Sequence, residues 1–411
     1  MKETLQELRQ QYQDYLDKDL SLNMERGWPC KEQLELSMPM LSLVDETTDL
    51  CREVDYRGYA GTGGIAPLKK LFADMLEVSG EELYIGGTMS TTIMYDIVNK
   101  AVLFGLDGHT PWKNIDNVKF ICPSPGYEKH FKICNTFGIE MLPVPIYDDG
   151  PDMDRVEELV SNDETVKGIW CVPLYSNPTG SVYSEEVVKR LASMKTKADD
   201  FRILWDNAYC VHHLTEEHRS VKNIIRECER YGNPDRAFEF ASTSKITFPG
   251  GGVAVCASSK SNIQWLTEHS LLQLKSGDKI NQLRHALFLK DMDGVHAHMR
   301  KHRELIKPKF DLIDRILHEE LDEWHAVRWK NPQGGYFINL ELQPGMASRV
   351  WELCKNAGVR VTPAGSTFPY GRDEEDKYLR LAPTYPSLEE LETAMRLLCL
   401  AVKITCCEKE D

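Results

Sequence analysis

Three short segments bring together residue types that could do chemistry. In Ser242-Thr243-Ser244-Lys245 a lysine sits among hydroxyls, ahead of the glycine run Gly250-Gly251-Gly252. A lysine held this way loses its proton more easily than a solvated one. The neutral amine can then condense with an aldehyde to form a Schiff base. A second segment, Asp206-Asn207-Ala208-Tyr209, follows the apolar run Ile203-Leu204-Trp205. A carboxylate at the end of a buried strand is desolvated and needs a cation or donor, unless it merely caps the next helix. The third, Tyr175-Ser176-Asn177-Pro178-Thr179-Gly180, follows Trp170-Cys171-Val172. Alone, Asn-Pro-Thr-Gly is a good turn, and most lysines are solvated surface charges. In this order, however, Asn177, Asp206, Tyr209 and Lys245 form a set that chance rarely supplies.

The elements that must position these residues alternate in type. Val118–Cys122, Ile139–Val144, Gly168–Val172, Phe201–Trp205 and Val253–Ala257 read as strands. Helical patterns at Thr91–Phe104, Met153–Val160 and Ser184–Lys195 lie between many of them. Such alternation indicates an α/β fold with a largely parallel sheet, in which ligands sit beyond the carboxyl ends of the strands. Leu5, Leu8, Tyr12 and Tyr15 predict an amphipathic helix over residues 1–17, followed by an irregular stretch to about Asp55. Gly58–Gly64 is a glycine-rich loop, and Pro67 suits the first turn of a helix through Leu76. Beyond the last of these strands come a long polar helical region, Ile263–His318, and a strand pattern at Gly335–Leu342. Val350–Ala357, the turn Thr362–Gly365, Leu379-Arg380-Leu381 and a closing helix at Leu388–Leu398 complete a smaller α/β unit.

At 411 residues the chain exceeds one ordinary core, and two or three packed units are expected. With 49 basic and 64 acidic residues the net charge is −15, which argues against nucleic-acid or peripheral-membrane partners. The twelve cysteines show no metal-ligand spacing, so no metal is expected and they read as reduced thiols, Cys406 and Cys407 near an exposed terminus. No signal-peptide pattern and no apolar run of membrane-spanning length occur. The reading is a soluble, cytoplasmic protein.

The joint pattern, from Tyr59 to Arg380, resembles the fold-type I, pyridoxal-phosphate-dependent aminotransferases of the aspartate aminotransferase superfamily, class I. It looks closest to a bacterial subgroup with Ser-Thr-Ser-Lys-Ile-Thr at the lysine (here Ser242–Thr247) and Arg-Leu-Ala-Pro-Thr with Pro two residues later near the end (Arg380–Pro386). The resemblance implies a large cofactor-binding domain over residues 51–295 with a mostly parallel seven-stranded sheet between helices. It implies an N-terminal arm and part of a small domain over 1–50, and the remainder of the small domain over 296–411. Lys245 would join the pyridoxal 5′-phosphate aldehyde and shuttle a proton. Asp206 would face the pyridine nitrogen, Asn177 and Tyr209 the 3-hydroxyl oxygen, and Tyr127 the ring face. Gly87, Thr88 and Met89, before the Thr91–Phe104 helix, would hold the phosphate with Ser242 and Ser244. Tyr59 would reach the phosphate of a partner subunit, which implies a homodimer with shared sites. Arg380 would grip the substrate α-carboxylate by its guanidinium fork.

Two positions depart from the family pattern. Val253 stands where many class I enzymes carry a phosphate-pairing arginine. In the loop Met24-Glu25-Arg26-Gly27-Trp28-Pro29, which would pass over the substrate, Trp28 replaces a lysine. Arg26 could still pair with a distal carboxylate, so aspartate or glutamate with a 2-oxo acid such as 2-oxoglutarate is the leading substrate reading, by a ping-pong cycle. Aromatic or apolar donors remain open, as does a C–S β-lyase or a decarboxylase, because fold-type I sites host several bond cleavages. A non-catalytic ligand sensor fused to a DNA-binding region is disfavoured by the acidic charge. His130, three residues after Tyr127, could support either Tyr127 or Asp206.

Overall fold

The computed structural model describes residues 4–59 and 61–410. The large sheet has the spatial order Leu83–Ile85, Ala254–Ala257, Ala237–Ser242, Arg202–Asp206, Val166–Cys171, Lys119–Ser124, Glu140–Tyr147 and Gly150–Pro151. The central strands pair in parallel, and Ala254–Ala257 runs antiparallel to both neighbours. The sheet therefore has eight strands where seven were expected. The two-residue Gly150–Pro151 segment turns back antiparallel on Glu140–Tyr147 at the edge.

Side-chain alternation explains why this sheet is buried on both faces. Ile121, Ile169, Ile203 and Val255 enter one apolar cluster. Their chain neighbours Phe120, Trp170, Leu204 and Cys256 enter the opposite one. Successive residues on a strand point to opposite sides, so continuous apolar runs require helices on both faces. The Ala237–Ser242 strand is not delimited by such a run, because Glu239 interrupts it. Burial pushes that carboxyl up to about 7, and Asn207 Nδ2 donates to it at 2.8 Å.

Helix boundaries follow capping side chains. Ser184 accepts from the Val187 amide to start Glu185–Ser193. The polar region Ile263–His318 is not one element but three helices, Lys260–Ser270, Lys279–Leu289 and Met292–Leu321. Asp278 and Asp291 cap the second and third, accepting from the Asn281 and Gly294 amides. The closing helix runs past Leu398 to Glu410, since Ala401, Val402, Ile404 and Thr405 all pack inward. Cys406 is accordingly buried and Cys407 half-buried, rather than lying at an exposed end.

The stretch after the first helix is also less irregular than expected. Leu22–Met24 pairs in parallel with Val359–Val361, and Lys31–Glu35 is a short helix. Leu8 and Met24 join one apolar cluster with residues of the C-terminal third, including a three-stranded sheet of Val327–Arg328, Ile338–Leu342 and Tyr378–Leu381. No described helix is long and apolar enough to cross a membrane.

A buried polar network ties these parts to the lysine segment. Gln33 Nε2 donates to Tyr336 Oη and to His302 Nδ1, each at 2.9 Å. Tyr336 Oη donates to the Lys245 carbonyl at 3.3 Å, and His298 Nε2 lies 2.8 Å from the Ile246 carbonyl. Burial, and then the neighbouring His298, depress His302 to about 3; burial also lowers His298. The unfolded chain, with histidine near 6.5, binds more protons below that pH, so stability is present above it and falls as pH drops toward 3. For His302 the loss at pH 5 is on the order of 1–2 kcal/mol. His302→Gln should flatten the fall in Tm between pH 7 and 5; an unchanged slope would refute this role.

Candidate active site

The carboxyl ends of the central strands open into a cavity of about 570 Å³. Of the residues singled out from the sequence, Arg26, Gly27, Met89, Tyr127, Asn177, Asp206, Tyr209, Ser242, Ser244, Lys245 and Arg380 line it. Gly87 and Thr88 do not, although they directly precede Met89 at the start of helix Ser90–Phe104. Tyr59 lies outside, 80% exposed, with the Lys275 ammonium 5.9 Å from its ring.

Asp206 ends its strand almost fully buried. Its Oδ2 lies 3.1 Å from His130 Nε2, and His130 stacks on Trp170 at 4.3 Å. Of the two roles open to His130, contact with Asp206 is direct, and its ring also meets Tyr127 edge-on at 5.1 Å. The other oxygen, Oδ1, is buried with no hydrogen-bond partner. A buried acceptor left unpaired is costly, so this atom presents an unfilled demand for a donor.

Lys245 follows the Ala237–Ser242 strand, its ammonium nitrogen 5.4 Å from the Tyr209 ring centre and 5.9 Å from that of Tyr336. Burial lowers its pKa, more than the Asp206 charge raises it, and Arg380 adds to the lowering. The amine thus loses its proton more easily than a solvated lysine does. Burial pushes the Tyr209 phenol well up, reinforced by Tyr127 and Asp206, so it stays a hydrogen-bond donor.

The glycine run brings backbones together beside the lysine. A Cβ at Gly252 would lie 2.9 Å from the Thr88 carbonyl oxygen and 3.2 Å from Ser244 Cα. Gly86 and Gly87 are stitched to Ala254 by paired backbone hydrogen bonds, which fixes the entry to helix Ser90–Phe104. Ser242 and Ser244 hydroxyls lie 2.8 Å apart. This corner collects hydroxyls and a helix N-terminus, the features that hold anions. Val253 is buried, its amide donating to Thr243 Oγ1 at 2.9 Å.

Arg380 crosses the cavity from the Tyr378–Leu381 strand. Its Nε donates to Thr362 Oγ1 at 3.1 Å, and Nη1 donates to Asn177 Oδ1 at 3.1 Å and Glu128 Oε2 at 2.7 Å. Nη2 donates to Glu128 Oε1 at 3.3 Å, and the Phe337 ring lies 4.6 Å from the guanidinium carbon. Glu128, Thr362 and Phe337 were not found from the sequence. Glu128 stands in the first turn of helix Glu128–Thr136, where the helix dipole favours an acid in any case. At the mouth, Trp28 meets Tyr385 edge-on at 5.8 Å, and Arg26 lies 5.1 Å above the Trp28 ring.

A mostly parallel sheet presenting a half-buried lysine, a buried carboxylate and a forked arginine in one cleft defines a fold-type I aminotransferase. The chain belongs to the aspartate aminotransferase family, whose model matches residues 1–411. It is 44% identical over 405 residues to an aspartate aminotransferase of Corynebacterium glutamicum, covering 98% of this chain and 94% of that protein. The crystal structure of an aspartate transaminase from Corynebacterium glutamicum superposes with TM-score 0.96 at 43% identity, covering 99% and 96% of the two chains. An α-aminoadipate aminotransferase from Thermus thermophilus shares the fold, with TM-score 0.76 at 23% identity over 95% and 94%.

Gly27 passes so close to Phe337 that an added Cβ would stand 2.6 Å from its Cζ. Gly27→Ala should therefore tilt the ring beside Arg380 and raise the amino-acid KM about threefold to tenfold, roughly 1 kcal/mol. The fold would be little affected, so Tm is expected to stay nearly constant. Unchanged KM would show that the loop yields without disturbing the site.

Proposed function

We propose that the protein is a pyridoxal-phosphate-dependent aminotransferase for aspartate or glutamate with a 2-oxo acid such as 2-oxoglutarate, working in ping-pong order. The observation that carries the cofactor assignment is the unpartnered Oδ1 of Asp206 in the cavity that Lys245 lines. A protonated ring nitrogen is the donor that atom lacks, and the Lys245 amine is the group an aldehyde needs. The residues present thus fit the cofactor. When bound, it supplies an electron-withdrawing ring that stabilises a carbanion at the amino-acid α-carbon.

The protein's own groups would do the rest. Lys245 would hold the aldehyde covalently and, once displaced by substrate, move a proton from the α-carbon. Asp206, oriented by His130, would hold the ring nitrogen protonated, and Tyr127 would cover one ring face. Asn177 and Tyr209 would bind the 3-hydroxyl oxygen. Gly87, Thr88, Met89, Ser242 and Ser244 would take the phosphate through amides and hydroxyls in place of the arginine that Val253 displaces. Arg380 would fix the substrate α-carboxylate, with Arg26 and Gly27 in the loop above it.

Tyr59 would complete the phosphate site of a partner subunit in a homodimer. Its exposure beside Lys275, together with the exposure of Leu271, Leu272 and Leu274 just before Lys275 in the chain, supports a face that a second copy covers. The division into residues 1–50 with 296–411 and residues 51–295, and a cytoplasmic location, belong to the same reading. The lack of any disulfide among the described cysteines accords with the latter.

For the distal substrate group, Arg26, Lys129 and Lys132 at the cavity support a dicarboxylic amino acid. The Trp28–Tyr385 pair supports the second reading, aromatic or apolar donors. A panel of donors against 2-oxoglutarate separates them: aspartate should exceed phenylalanine and leucine in kcat/KM by at least about tenfold, a difference near 1.4 kcal/mol. The reverse order would establish the second reading. Borohydride should fix the cofactor onto Lys245 alone; an adduct mapped to another lysine would overturn the assignment.

A further inference from the structure

Glu128 holds the place that a substrate carboxylate would need. Its two oxygens meet Nη1 and Nη2 of Arg380 at 2.7 and 3.3 Å, the two-pronged arrangement an α-carboxylate makes with a guanidinium. With Thr362 on Nε and Asn177 also on Nη1, these bonds occupy all but one of the arginine's N–H groups. An incoming carboxylate can thus gain one hydrogen bond, not the fork, while Glu128 stays. Thr362 cannot easily give way, because its hydroxyl donates to the Glu25 carbonyl at 2.9 Å. Asn177 is itself buried.

Glu128 has somewhere to go. It opens helix Glu128–Thr136, and Lys132, one turn further on, is exposed and lines the same cavity. Glutamate four residues before lysine is a favourable helical pairing.

We propose that Glu128 is an internal competitor for Arg380. It occupies the guanidinium when the site is open, and swings toward Lys132 when a 2-amino or 2-oxo carboxylate takes the fork. The site then admits tightly only ligands whose carboxylate outcompetes a tethered one, which makes Glu128 a specificity-determining residue. This rests on the reading of Arg380 as the α-carboxylate anchor.

The test uses the holoenzyme, with maleate as an unreactive dicarboxylate probe titrated by the change in cofactor absorbance, and with steady-state kinetics on aspartate. Glu128→Gln should tighten maleate Kd and lower the aspartate KM, each by about threefold to thirtyfold, with kcat changed less than about twofold. Glu128→Asp, which keeps the charge but is one methylene short, should shift both constants the same way. Constants that rise or stay level in these variants overturn the proposal, a rise meaning that Glu128 braces Arg380 for substrate. Arg380→Ala separates the two layers. If it leaves maleate Kd unchanged, the anchor reading itself has failed; if it weakens maleate while Glu128→Gln does not tighten it, only the competitor role has failed.

Discussion

A carboxylate and an amine drawn away from water at the carboxyl ends of two neighbouring strands govern this molecule. Asp206 and Lys245 end neighbouring strands or follow them closely; Asp206 is almost fully buried, and Lys245 is half-buried with its pKa lowered chiefly by desolvation. Burial of charge is tolerated only where partners compensate it. Here compensation is incomplete: His130 faces one oxygen of Asp206, the other has no partner, and the lysine is pushed toward neutrality. A site left with unmet demands is poised for a ligand that meets them.

The surrounding structure serves to keep those demands in place. The sheet fixes the strand ends because its two faces are dry and continuous. Behind the lysine, Tyr336 from the C-terminal part donates to its carbonyl, and Gln33 from the N-terminal segment donates in turn to Tyr336 and His302. The lysine segment is therefore clamped by residues from both ends of the chain. The same economy recurs at Arg380, held by Thr362, Asn177 and Glu128 from three separate segments. Such networks order a site at the cost of many simultaneous hydrogen bonds, any one of which couples to the rest.

Much of this was legible in advance, and for definable reasons. Strands with dry surroundings on both sides appear as short apolar runs, so Val166–Cys171 and Arg202–Asp206 could be placed to within two residues. The residues at their ends were then exposed to view as polar groups in improbable positions. Ala237–Ser242 resisted because a buried glutamate breaks its run. The three helices between residues 260 and 321 resisted because their boundaries depend on caps at Asp278 and Asp291, which look like ordinary surface acids.

Glu128 marks the other side of that boundary. Its partner lies 252 residues away, and no local pattern distinguishes a glutamate that relieves a helix dipole from one that masks an arginine. The amino-acid order alone determined the α/β alternation, the lysine and aspartate at strand ends, and the acidic surface, because periodicity and burial act over a few neighbouring residues. The tertiary structure alone decided which acid faces Arg380, which oxygen of Asp206 lacks a donor, and how close Gly27 comes to Phe337. Those depend on distances between segments that the chain brings together only on folding, where a difference of an ångström changes which group is paired.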